Sequence, residues 1–285
     1  MPNRCDGRLD WGCGVAEVQL LYTAYFDESD THGLSPNVIM ACFLGNLRQW
    51  ELFGRRLRNL QRRDGFRIFH ATEFRNKSGE FAGWSDKKCS NLVHDLTVLV
   101  RDTLTEGVTV CLERDRYIDE YRKPPVPRKM TLDSQYGVCF RACMAQLIAI
   151  VMADGNRHKL NVVIEDGHTN VGDTERIFND LRVQVRRRFG VDLLGTHRVA
   201  KKEGAAALMV SDFLAYSYLL MRSSKESGSG DYAEIAPIPR KREAGLTFLD
   251  LLPDALMRLK EKFEQDRREA ADAWRARREA VKTRP

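Results

Sequence analysis

Several absences narrow the field first. No unbroken apolar run reaches the roughly 20 residues of a membrane-spanning helix. The N-terminus, with Arg4, Asp6, Arg8 and Asp10 scattered through it, has no secretory apolar core. A soluble, cytoplasmic protein with no membrane partner is the expectation. A glycine-rich phosphate loop, a Gly-x-Ser-x-Gly elbow and a dinucleotide fingerprint are all missing. The missing phosphate loop counts against a phosphotransferase or ATPase. The cysteines, Cys5, Cys13, Cys42, Cys89, Cys111, Cys139 and Cys143, are odd in number and form neither a Cys-x-x-Cys pair nor a Cys/His quartet of zinc-finger spacing. Reduced thiols are expected, with neither a disulfide frame nor structural zinc. Cys139 and Cys143, four apart in an apolar stretch, read as small core residues. No internal repeat is present.

What remains is a chain of 285 residues, 43% hydrophobic and 30% charged, enough for one large domain or two small ones. Lys and Arg number 46 against 40 Asp and Glu, a formal +6 that permits a polyanionic partner without requiring one. The basic residues are clustered at Arg55, Arg56, Arg58, Arg62 and Arg63, at Arg186 to Arg188, at Lys201 and Lys202, and at Arg240 to Arg242. Any single run reads as a solvated face. Several in one chain make nucleic acid a serious candidate.

Residues 1–16 show no periodicity and read as a flexible leader. Val18 to Phe26 is β-branched and aromatic and runs into the polar turn Asp27-Glu28-Ser29-Asp30, as a strand feeding a loop does. Val38 to Leu44 predicts a second strand, antiparallel to the first, and Trp50, Phe53, Leu57 and Leu60 recur at helical spacing. Phe66 to His70 looks like a short third strand. Ser85 caps a helix carrying Leu92, Leu96 and Leu99, and Val108 to Leu112 is the next strand. Leu132 to Met152 is apolar on every side, as in a buried helix, and Leu160 to Glu165 is a sheet-interior strand. A helix over about 173–189, a weaker strand at 193–199 and a core helix over 205–221 follow. Residues 223–247 read as a flexible insertion, and 248–285 as a charged C-terminal helix with an apolar edge at Leu252, Leu256, Leu259 and Phe263. Trp274 near its end leaves a homodimer open. Residues 17–222 thus form one α/β domain with a mixed sheet and helices on both faces. Such sheets bind ligands at the carboxyl ends of their strands.

Three acids stand where an ionised carboxylate is costly unless paired or bound to a cation. Asp27, followed by Glu28, ends the first strand; Glu165 ends the most hydrophobic one; Asp212 is the lone formal charge between Gly204 and Arg222. If the strand ends are neighbours and the last core helix crosses them, the acids share one pocket. Carboxylates about 4 Å apart repel by roughly 4 kcal/mol at an effective dielectric near 20, so such a cluster shares protons or binds a metal. Oxygen-only ligands favour Mg²⁺ or Mn²⁺, and paired ions of this kind support phosphodiester cleavage. Each acid has a plainer reading as well: turn residues at Asp27 and Glu165, and at Asp212 an acid paired with Lys201, Lys202 or an arginine. His70, at a predicted strand end, is a candidate acid/base or phosphate contact, with His168 a weaker version. Lys201 and Lys202 are candidates for binding the scissile phosphate of the substrate.

The segments Tyr25-Phe26-Asp27-Glu28-Ser29, Phe69-His70-Ala71-Thr72-Glu73-Phe74, Val163-Ile164-Glu165-Asp166-Gly167 and Ser211-Asp212-Phe213-Leu214-Ala215-Tyr216 resemble those of the domain-of-unknown-function 3800 family. The resemblance covers about residues 20–222 and implies a ribonuclease H-like fold. By resemblance Asp27, Glu165 and Asp212 are metal ligands, Glu28 an accessory acid and His70 a helper. Asp30 stands where Gly is usual after Asp-Glu-Ser. The expectation is therefore a Mg²⁺- or Mn²⁺-dependent nuclease acting on RNA or DNA, with Asp27, Glu28, His70, Glu165 and Asp212 as catalytic residues. The alternative is a non-catalytic nucleic-acid-binding or defence-associated accessory protein of the same fold. A phosphotransferase or ATPase is a third reading, disfavoured by the missing phosphate loop.

Overall fold

The computed structural model describes residues 21–29, 36–123, 131–153, 158–227 and 245–282. The leader 1–16 and the basic run at Arg240 to Arg242 lie outside these residues, as do Cys5 and Cys13. Among the described residues the strands form one mixed sheet of order β5-β4-β1-β2-β3-β6. The central hairpin is β1 (Tyr22–Ser29) and β2 (Asn37–Asn46), antiparallel, with Asp27 opposite Ala41. Nine successive residues of β2 are buried, so helices cover both of its faces. β3 (Glu106–Glu113) continues antiparallel to β2. On the other side β4 (Leu160–Glu165) runs parallel to β1, and β5 (Leu194–Ala200) parallel to β4.

Between β2 and β3 the chain forms α1 (Leu47–Asp64), α2 (Ala71–Asn76) and α3 (Asp86–Thr103). Asn46 and Gln49 start α1 with a reciprocal capping box, each side chain accepting from the other's backbone N–H at 3.0 and 2.8 Å. Gly65 ends it at φ 78°, a left-handed conformation that glycine adopts without a Cβ clash. After β3 come the helical turn α4 (Arg114–Arg116), a π-helical segment (Tyr117–Arg122) and α5 (Gln135–Ala153); then α6 (Val171–Phe189) and α7 (Leu208–Ser227). The sheet's two faces bury separate cores. Phe26, Met40, Val110 and Ile164 pack against α5 and α6. Ile39, Ala41 and Phe43 pack against α1, α3 and α7.

α5 is long and apolar enough to cross a membrane by length and composition. Here it is the central core helix, with Val138, Cys139, Phe140, Cys143 and Met144 at 1% exposure or less. The Cys139 and Cys143 thiols point at the Val38 and Met40 carbonyls, 3.8 Å away in each case, and none of the five described cysteines is in a disulfide. A buried ion-pair cluster pins the start of this helix. Asp133, fully buried, accepts from Arg141 and from Arg176 at 2.6 Å each.

Two expectations are corrected. Phe66 to His70 is not a strand. Phe66 and Phe69 sink into an aromatic cluster with Phe74, Phe81, Trp84 and Phe213, so their stabilisation comes from ring packing rather than a strand ladder. Residues 245–250, split by the sequence reading between an insertion over 223–247 and a C-terminal helix over 248–285, form the edge strand β6 (Gly245–Asp250), parallel to β3. The final helix is α8 (Pro253–Lys282). Leu256 is buried and Leu259 packs on the core, whereas Leu252 is exposed. The side chains of Phe263 and Trp274 lie outside the described residues.

Candidate functional site

The parallel register sets Phe26 beside Ile164, so the next residues, Asp27 and Glu165, leave neighbouring strand ends together. α7 lies across β1 on one face, tied by the Ser211 hydroxyl, which donates to the Tyr25 carbonyl at 2.7 Å. This brings Asp212, one turn into α7, over the same point. Asp212 Oδ2 accepts from the Ala71 N–H at 3.0 Å, which draws in the start of α2. Four distant stretches of chain thereby meet.

At the meeting point sits Lys202. Its Nζ lies 2.9 Å from Asp27 Oδ2, 2.9 Å from Glu165 Oε2 and 2.8 Å from Asp212 Oδ2, and the side chain is 5% exposed. Lys202, a candidate for binding the substrate phosphate, is here the internal counter-ion of the acids. Lys201, its neighbour, is exposed. The turn after β5, closed by Gly204 N–H and Ala205 N–H donating to the Lys201 and Lys202 carbonyls, sends one lysine inward and the other outward.

One ammonium does not balance four carboxylates. Burial first, and then the Asp212 charge, hold the Asp27 carboxyl well above the usual range. Burial also raises Asp212 against the opposing pull of Lys202. Glu165 goes the other way: burial would raise it, but the hydrogen bond with Asp27 and the Lys202 charge outweigh that and lower it. Asp27 and Glu165 titrate as a coupled pair, with Asp27 the member pushed up and Glu165 the member pulled down. Burial, aided by Glu165, pushes Glu28 up to about 7. Lys202 is raised above its ordinary value, because the charges of Asp27, Asp212 and Glu165 overcome its burial.

Two carboxylate oxygens in the cluster, Asp27 Oδ2 and Glu28 Oε2, are buried and lack a hydrogen bond. Asp27 Oδ2 does lie within ion-pair distance of Lys202, without the alignment of a bond. An all-oxygen donor set with unmet acceptors suits a hard divalent cation. As they stand, the acids point at the ammonium, and among the described residues no group of three His, Cys, Asp or Glu is placed to hold a metal ion. The residues thus fit a hard divalent cation in donor chemistry, while the point between the acids is held by the ammonium.

His70 caps the start of α2, close enough for its charge to lower Glu165. His168 follows β4 and stacks on Tyr136, with centroids 4.0 Å apart and planes 9° from parallel. Sequence reasoning missed Tyr136, whose only signal was a hydroxyl opening an otherwise apolar helix. Arg55, Arg56, Arg58, Arg62 and Arg63 on α1, and Arg186 to Arg188 on α6, are exposed. Compared with known proteins, the chain matches no family model, no curated protein and no solved structure.

Proposed function

We propose that this protein is a divalent-metal-dependent nuclease of the family it resembles, the domain-of-unknown-function 3800 group, with a ribonuclease H-like fold. One observation carries the reading: carboxylates from β1, β4 and α7 converge on a single buried cation position at strand carboxyl ends. Asp27, Glu165 and Asp212 would hold Mg²⁺ or Mn²⁺. When bound, such an ion supplies Lewis-acid activation of water and stabilisation of the leaving oxygen. The chain's own part is to focus negative charge at one point, keep that point dry beneath α7, and accept a proton on a carboxylate. In the reaction a water oxygen bonds to phosphorus, the bond from phosphorus to the leaving sugar oxygen breaks, and the leaving oxygen is protonated. Exposed arginines on α1 and α6 would hold the RNA or DNA backbone.

The test is cleavage of labelled RNA and DNA by the protein and by Asp27→Asn and Asp212→Asn, in Mn²⁺ and in chelator. Metal-dependent cleavage lost in both variants, with folding retained, supports the reading; cleavage that survives both changes defeats the mechanism. A second reading rests on Lys202, whose ammonium already occupies the point between Asp27, Glu165 and Asp212. It makes the protein a nucleic-acid-binding accessory module, and binding without cutting in every metal would favour it.

A further inference from the structure

The polar residues on the α5 side of β1 are not used by that mechanism. Ala24 and Phe26 face α5, and alternation along the strand turns Glu28 the same way. Tyr136, at the start of α5, is 1% exposed, and its ring is clamped by His168. His168 is held in turn, its Nδ1 accepting from the Asn170 N–H at 3.0 Å. The Tyr136 hydroxyl has no hydrogen-bond partner among the described residues, and neither has Glu28 Oε2.

Both orphans lie on the α5 side of the sheet, and of the carboxylates Glu28 acts most strongly on the Tyr136 phenol, ahead of Asp27 and Glu165. A buried phenol normally finds a partner, and an unpaired one costs about 1–3 kcal/mol. Tyr136 has a proton to donate and Glu28 Oε2 an open acceptor position, yet the two are not bonded to each other. A small oxygen species that accepts from Oη and donates to Oε2 satisfies both groups, and water is the one always present.

We propose that Tyr136 Oη and Glu28 Oε2 hold a water between them at the edge of the acid cluster, and that Tyr136 is the positioning residue for the water consumed in hydrolysis. The role in hydrolysis rests on the nuclease reading; the water site does not. The hydroxyl fixes the acceptor side of the water, which leaves a lone pair to be aimed by the geometry of Glu28 and the neighbouring acids.

Two measurements separate the parts. A high-resolution crystal structure of the protein should show an ordered water within about 3.2 Å of both Tyr136 Oη and Glu28 Oε2; their direct contact, or a dry gap, overturns the site. Tyr136→Phe, which removes only the hydroxyl, should fold normally and keep its Mn²⁺ affinity by calorimetry. Its kcat should fall roughly 10- to 100-fold with KM unchanged, the signature of a misplaced reacting group. Glu28→Gln, which turns an acceptor into a donor on the other side of the water, should reproduce that split and stands in if Tyr136→Phe does not fold. Wild-type kcat in either variant refutes the positioning role. A wild-type protein that cleaves nothing refutes the nuclease reading instead, and the crystal density then still decides whether the water is held.

Discussion

Replacing Lys202 by Met tests the electrostatics of the site most directly. Each carboxylate contact near 2.9 Å is worth about 6 kcal/mol of gross attraction at an effective dielectric of 20. Desolvation of the ammonium and of the acids opposes this by several kcal/mol per ion, so the gross sum is never realised. What the variant loses is compensation: three buried carboxyl groups keep their places without their cation. Removing one partner from a buried pair costs about 3–5 kcal/mol, and that is the expected loss at pH 8 without metal. Acidification should shrink it. Without the ammonium Asp27 and Asp212 rise further and Glu165 loses part of what lowers it, so the folded variant binds more protons than the wild type does, and its stability falls more steeply as pH rises through the carboxylate range. Lys202 itself stays protonated from pH 5 to 8, because its raised value lies above that window, so the pH dependence of the deficit comes from the acids. Urea unfolding at pH 5 and pH 8 in chelator reads both numbers. Equal midpoints for the two proteins at pH 8, or a deficit that grows on acidification, would refute the counter-ion role. Addition of Mn²⁺ should restore the variant's stability at lower metal concentration than shifts the wild type, since no ammonium competes for the oxygens.

Other consequences are as specific. Glu28, raised from 4.5 to about 7, makes the folded state less stable as pH climbs between those values. Glu28→Gln should therefore match the wild type near pH 4 and exceed its stability at pH 8 in chemical denaturation. Asp133→Ala should cost about 3–5 kcal/mol, because Arg141 and Arg176 lose a fully buried partner, while activity per folded molecule is unchanged. Melting curves and active-fraction assays check this. If the arginine face of α1 binds nucleic acid, affinity should fall linearly on a log–log salt plot, and Arg55→Gln or Arg58→Gln should each reduce the slope by about 1. Fluorescence anisotropy at several salt concentrations measures it.

The hydrophobic pattern alone determined most of the architecture. Alternating and continuous apolar runs marked β1 to β5, and the apolar helix from Gln135 stood out by composition. Asp27, Glu165 and Asp212 were legible for a local reason: a carboxylate ending an apolar strand, or set within an apolar helix, is costly wherever it lies in the fold. Three things only the tertiary structure decided. Phe66 and Phe69 follow aromatic packing rather than strand pairing, and residues 245–250 gain strand character only by finding the open edge of β3. Lys201 and Lys202 are equivalent as neighbouring letters, yet the turn after β5 buries one among three acids and leaves the other in solvent. Burial and long-range charge are properties of the assembled chain, and no window of sequence contains them.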